Sequence, residues 1–332
     1  MIPAMSEPFA DCISQSLKNI LSAMQAMSTI EAPPVFAGDV FSQQIDNLAS
    51  LDFARANYYT DKHSLRVFDW ILQYRAIMSL YGVPIPCYLD NSPFHEDEWA
   101  RLEQQASTMT PCILDDYLLN RIDVWILEAY ALKGECEALP GDVVLDCGTY
   151  TGNTSLYFSR KVGNSGHVYG FEDANATFEK YSRNMLGLEN VTPIHAAVSN
   201  TTGVLNFSGD TPGASISANG GEVPAITLDE FCRSRNLAKV DFIKMDVEGA
   251  EDAALEGAAG IIKQHKPKMA ISAYHRDFDT ISLPARVLSI APYTFRLRHF
   301  SNREWETVLY CIPKDTTVVL PQPVPERTIK SG

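Results

Sequence analysis

Val143-Val144-Leu145-Asp146-Cys147-Gly148-Thr149-Tyr150-Thr151-Gly152-Asn153-Thr154-Ser155 is the stretch that decides the fold. A β-branched run ends in an acid, passes two glycines, and enters a segment with helical character. Strand, tight turn and helix in that order open a βαβ unit. From Pro140-Gly141 onward the same alternation repeats. Strands are predicted at Val143–Cys147, His167–Phe171, Val191–His195, Val240–Met245 and Met269–Tyr274. Helices are predicted at Asn153–Lys161, Ala174–Leu186, Leu228–Arg235 and Ala250–Gln264. Alternating strands and helices predict a parallel sheet covered on both faces. Tyr293–His299 and Thr307–Ile312 have no helix between them, so they are expected to pair as an antiparallel hairpin at a sheet edge.

Upstream of this unit the pattern is helix and loop. Ser16–Met27, Ser64–Tyr81, Glu96–Ala106 and Leu114–Leu132 read as helices, with Gly82, Pro84 and Pro86 closing the second. The chain divides into residues 1–120 as a helical extension, 121–315 as an α/β domain, and 316–332 as a tail containing Pro321, Pro323 and Pro325. The extension carries no metal or nucleophile pattern; a lid, a cap or a dimerisation surface are its open roles. The whole chain of 332 residues includes 27 Lys+Arg against 41 Asp+Glu, a net charge of −14. Such a surface repels phosphate backbones, which argues against a nucleic-acid partner. No membrane span and no signal peptide are read, and seven widely spaced cysteines without a CxxC predict free thiols in a reducing, cytoplasmic setting.

The glycine turn, D-x-G-x-x-x-G, is not the G-x-G-x-x-G of dinucleotide sites. An acid at that position suits a ligand bearing an amino group or a sulfonium, such as S-adenosylmethionine, better than a pyrophosphate. Glu172 ends the second strand, where a carboxylate can accept hydrogen bonds from ribose hydroxyls. Each signal is weak by itself. Their order along the chain, each at a strand's carboxyl end, is what gives them weight.

Asp241-Phe242-Ile243-Lys244-Met245-Asp246-Val247-Glu248-Gly249-Ala250-Glu251 is the sharpest text. VVLDCGTYTGNTS, FED and IKMDVEGAE, followed by KMAISAYHRDFD, FRLRHF and ETVLY, together resemble the FkbM-type family of S-adenosylmethionine-dependent methyltransferases. The resemblance covers about residues 141–312. It implies a class I, Rossmann-like, seven-stranded sheet ending in an antiparallel hairpin, and a methyl donor. Carried onto this chain, it implies that Asp146, Gly148, Tyr150, Thr151, Gly152, Thr154 and Ser155 surround the methionine part of the cofactor. Glu172 would hold the ribose, Ala197 would lie near the adenine, and Asp246 would face the reacting centre. The family usually has proline after the acid of the second strand; here Asp173 stands there.

A hydroxyl acceptor must lose a proton, which asks for a base. His275 follows the fifth strand and Asp246 the fourth, so both open into one crevice. His275 is expected to be the base, with Asp246 orienting it or the acceptor; a histidine hydrogen-bonded in a loop is the plainer alternative. Asp246, Glu248, His275 and Asp277 also offer ligands for Mg²⁺ or Mn²⁺, an arrangement ranked below the metal-free one. Glu248 and Glu251 read first as acids complementing a helix dipole. Lys244 should be paired with an acid, and His299 should be structural. Tyr150 and Tyr274 read first as packing aromatics, and Ser199–Gly221 as a long excursion.

The expected activity is methyl transfer to a hydroxyl of a small natural product, a sugar or a glycolipid, with oligomeric state left open. A silent S-adenosylmethionine-binding scaffold is the alternative from another class, and a nicotinamide-dependent oxidoreductase is disfavoured by the glycine spacing.

Overall fold

The computed structural model describes residue 44 and residues 47–81, 92–110, 117–208, 215–216 and 221–314. The expected helix at Ser16–Met27 and the proline-containing tail lie outside these residues, as do Gly82, Pro84, Pro86, Cys12, Cys87 and Cys112. Strands β1 (Val143–Cys147), β2 (His167–Glu172), β3 (Val191–His195), β8 (Phe242–Met245), β9 (Lys268–Ser272), β10 (Tyr293–His299) and β11 (Thr307–Pro313) build one seven-stranded sheet. Its order is β10-β11-β9-β8-β1-β2-β3. Every pair is parallel except those made by β11, which runs antiparallel to β9 and β10. The doubly wound sheet and its terminal hairpin are therefore as the sequence pattern predicts.

Period-two alternation sends the strand side chains to two faces. Leu145, Cys147, Ile243, Met245 and Ile271 enter one core; Val144, Phe242, Ala270 and Tyr310 enter the other. Asp146 and Lys244 fall on the second face, and the register sets them side by side. Helices α4 (Asn153–Val162), α5 (Asn175–Asn184), α6 (Leu228–Ser234), α7 (Glu251–Glu256), α8 (Ala259–His265) and α9 (Asp279–Ile290) follow or link the strands.

Four expectations need correction. The single helix expected at Ala250–Gln264 is two, α7 and α8. A Cβ at Gly257 would sit 2.1 Å from the Ser199 carbonyl oxygen, so the chain presses close there and breaks. The Asp229 carboxylate then accepts from the Gly260 and Ile261 amides (both 2.8 Å), capping α8. Helix α9 was not anticipated because Pro284 lies inside it. Part of Ser199–Gly221 is strand: β5 (Gly203–Ser208) and β6 (Ser215–Ile216) join the flanking β4 (Ala197–Val198) and β7 (Gly221–Ile226) in a second sheet, ordered β4-β7-β5-β6.

The fourth correction concerns Leu114–Leu132. Its described part is a helical turn at Leu118–Asn120, then a π-helix at Arg121–Ile126. The Leu127 amide donates to the Ile122 carbonyl (2.8 Å) and the Ala129 amide to the Asp123 carbonyl (2.8 Å), and Glu128 takes a φ of 51°. Wide turns of this kind are rare in helices and recur at functional sites.

Upstream, α2 (Lys62–Tyr81) and α3 (Glu96–Thr108) match expected helices, whereas α1 (Leu48–Asn57) lies in a stretch whose sequence shows no clear period. Leu51, Tyr59, Phe68, Trp70 and Tyr74 of this region share one continuous core with β1, β8, β9 and β10. Tyr59 forms a bridge to Phe295, and the Leu297 amide donates to Ser64 Oγ (2.9 Å), both on edge strand β10. Cys136, Cys147, Cys232 and Cys311 are free thiols, and none of the described helices is long and apolar enough to cross a membrane.

Candidate active site

The parallel strands deliver three acids to one end of the sheet: Asp146 in β1, Glu172 at the end of β2, and Asp246 just past β8. Gly148 turns at φ 80°, and a Cβ there would sit 1.7 Å from the Asp246 carbonyl oxygen. Only glycine lets the two strand ends approach so closely. Gly152 turns at φ 102°, where a Cβ would meet Tyr181 and Met185 at 2.7 Å. Tyr150 between them is left-handed at φ 50° and stacks on Tyr117, with hydroxyls 3.0 Å apart.

Asp146 is fully buried. Its Oδ2 accepts from Thr154 Oγ1 (2.8 Å) and Ser155 Oγ (2.7 Å), and its Oδ1 lies 3.5 Å from Lys244 Nζ. Burial raises its carboxyl, against the pull of Lys244. Asp146 and Ser155 thereby tie the turn to the start of the helix that follows it. Lys244, also buried, lies 3.8 Å from Asp246 and donates to the carbonyls of Cys147 (3.3 Å) and Gly148. Burial works against its charge, but Asp146 and Asp246 outweigh it and hold the ammonium above its ordinary value. The expected acid partner of Lys244 is thus two acids.

Glu172 accepts from the Tyr150 amide (2.9 Å) and the Ala174 amide (3.2 Å). Burial, with Asp173 beside it, pushes its carboxyl up to about 8. Ala197 sits in the second sheet, paired with Ala225, and its neighbour Ala196 ties back to the Glu172 carbonyl (3.2 Å).

A small, partly open cleft lies above the turn. Gly148, Tyr150, Thr151 and Thr154 line one side. Asp123, Tyr130, Lys244, Asp246 and Glu306 line the other. The π-helix carries Asp123 there; Tyr130 Oη donates to Asp246 Oδ2 (3.0 Å), and Tyr274 Oη donates to Asp246 Oδ1 (3.3 Å). Burial and the charges of Asp123 and Asp246 hold the Glu306 carboxyl well above the usual range. Sequence reasoning gave no role to Asp123, Tyr130 and Glu306. Glu306 opens the ETVLY run, which was read only as part of the hairpin, and Asp123 and Tyr130 lie in a segment with no motif of its own.

His275 stands behind Asp246. Its Nε2 is 3.5 Å from Asp246 Oδ1 and 3.6 Å from Glu248 Oε2, and its Nδ1 is 2.8 Å from Glu251 Oε1. Burial opposes its charge, but Glu251, Asp246 and Glu248 prevail and push the imidazole up to about 9. Glu251 also accepts from the Val247 amide (2.9 Å), so this acid serves the ring as well as the helix start. Of the four metal ligands considered, Asp277 turns away: its backbone carbonyl accepts from Arg75 and its carboxylate lies 4.0 Å from that guanidinium. Asp246, Glu251 and His275 do place ligand atoms within 4.8 Å of one another. A protonated ring already satisfies the carboxylates around it. His299 is buried, bonded to Thr307 (2.7 Å) and packed on Trp70 (ring centroids 4.5 Å apart), a structural place as expected.

Residues 146–303 match the family model described as the methyltransferase FkbM domain. Residues 146–303 belong to the FkbM methyltransferase family. The fold of the FkbM domain is similar to that of methyltransferase FkbM from Methylobacillus flagellatus KT, with TM-score 0.57 and 20% identity. That alignment covers 82% of this chain and 60% of the other, so this chain spans less than two thirds of that protein. Aeropyrum pernix fibrillarin, solved with natively bound S-adenosyl-L-methionine, aligns at TM-score 0.39 and 17% identity over 56% of this chain and 74% of its own. No curated protein sequence matches the chain.

The residues of the FkbM domain fit the methyl donor associated with such a domain. The glycine cradle would be filled by a Cβ at Gly148 or Gly152, and the buried hydroxyls of Thr149 and Thr151 have no protein partner. Orphaned donors beside an acid-lined cleft suit a polar, positively charged ligand.

Proposed function

We propose that the protein transfers a methyl group from S-adenosylmethionine to a hydroxyl of a small polar acceptor, such as a sugar or a hydroxylated natural product. The observation that carries this reading is the convergence of Asp246, the Gly148–Gly152 cradle and Glu172 at adjacent strand ends, where open α/β sheets bind ligands. Thr149, Thr151, Tyr150 and Thr154 hold the methionine end, and Glu172 accepts from the ribose. Bound there, the cofactor supplies a methyl carbon already activated by a sulfonium, so the protein mainly positions the partners. Asp246 faces the acceptor and accepts a hydrogen bond from its hydroxyl. The methyl group would pass from sulfur to the acceptor oxygen, giving S-adenosylhomocysteine, and the hydroxyl proton would pass by way of Asp246 to His275 in its neutral form, the form that grows as pH rises toward about 9. The carboxylates of Asp123 and Asp246 along the cleft favour acceptors rich in hydrogen-bond donors and repel anionic ones such as nucleic acid.

The test is calorimetric titration with S-adenosylmethionine, S-adenosylhomocysteine and NAD⁺, with and without Mg²⁺. Binding of the first two, lost in Glu172→Ala and indifferent to Mg²⁺, supports the reading. Binding of NAD⁺ instead overturns it. Turnover on a panel of hydroxylated acceptors then separates an enzyme from a silent scaffold.

A further inference from the structure

Arg75 belongs to α2, upstream of the FkbM domain, yet its guanidinium reaches the loop that carries His275. Nη2 donates to the Tyr274 carbonyl (3.0 Å), and Nη1 donates to the carbonyls of Arg276 (3.0 Å) and Asp277. The side chain is buried, 8% exposed. These three carbonyls flank His275 on both sides, so the peptide planes that aim its Cα–Cβ bond are fixed from behind. Neighbouring ties run the same way: Tyr59 Oη donates to the Thr280 carbonyl (2.5 Å), and the Arg276 amide donates to Asp279 Oδ2 (2.7 Å). Tyr74, next to Arg75, donates to Glu304 (2.6 Å) at the base of the hairpin loop that carries Glu306.

We propose that Arg75 is a positioning residue, through which the upstream helix sets the aim of His275 toward Asp246 in the methyl-transfer site. The proposal rests on the role given to His275 above. A guanidinium suits this task because its planar fork presents several donors in fixed directions, and a carbonyl cluster needs directions more than charge. A small error in the aim of a reacting group costs rate steeply. The groups facing His275 are Asp246 and Glu248 beyond β8, Glu251 of α7 and Asp279 of α9, with Arg75 behind the loop. Loosening the loop withdraws the ring from the first three together.

The experiment compares wild type, Arg75→Gln and Arg75→Lys, each also with His275→Gln. Turnover, S-adenosylhomocysteine affinity and the titration of the His275 ring by NMR are measured. Arg75→Gln is expected to lower kcat about 10²-fold, leave S-adenosylhomocysteine affinity unchanged, and move the ring titration down from about 9 toward 6.5. Arg75→Lys should recover part of the loss. With His275→Gln in place, neither Arg75 change should cost anything further, because residues acting through one group are not additive. A ring that titrates as in wild type in Arg75→Lys and Arg75→Gln, or an undiminished Arg75 effect in the His275→Gln background, overturns the proposal. If wild type binds no S-adenosylhomocysteine, the proposed function fails instead, and the ring titration still decides Arg75.

Discussion

Lys244 and His275 divide one problem between them, the crowding of negative charge at the ends of neighbouring strands. Lys244 neutralises Asp146 and Asp246 from its buried place in the sheet. Removing one partner of a buried pair leaves the other uncompensated. Lys244→Met should therefore cost about 3–5 kcal/mol of stability, read as a lower urea midpoint. His275 does the same for Asp246, Glu248 and Glu251 nearer the surface. Its folded pKa, about 9, lies above the ordinary 6.5. Its stabilising contribution is then full below pH 6.5 and is lost as pH rises through about 9. The stability gap between wild type and His275→Gln should be widest at pH 6 and close above pH 9 in thermal melts. If His275 takes the acceptor proton, turnover should rise toward pH 9, and His275→Gln should flatten that rise.

At the scale of elements, the turn after β1 is the critical part. Gly148 is left-handed and lies against the Asp246 carbonyl. Gly148→Ala must push the β1 and β8 ends apart, and S-adenosylhomocysteine binding should fall below detection in calorimetry while far-ultraviolet circular dichroism stays as in wild type. This turn was legible in the sequence because glycine spacing, a strand-end acid and a helix start are all local signals. Asp246 and His275 were legible for the same reason, each being read at a strand end. Tyr130, Asp123 and Glu306 were not. A π-helix and a hairpin loop bring them in, and neither has a periodic signature. The role of Glu251 was half-read: its position at a helix start was visible, its ion pair with His275 was not. Pro284 hid α9 because local propensity opposes what tertiary packing permits.

For the whole molecule, the division at residue 120 describes the sequence pattern, while the core runs across it. Trp70 is fully buried among side chains of both regions. Trp70→Ala should lower stability by about 3–5 kcal/mol. Fluorescence and circular dichroism should then report a single coincident transition. Two separated transitions would mean that α1 and α2 fold apart from the sheet.

The Ser64–Leu297 hydrogen bond joins residues 233 positions apart. During synthesis the chain is extended at about 5–20 residues per second, so α2 leaves the ribosome roughly ten to fifty seconds before β10 exists. For that interval Phe68, Trp70 and Ile71 lack the edge strand that completes their core. Among the described residues, helices made early thus complete their packing late, and the growing chain should expose this apolar face until the final hairpin arrives.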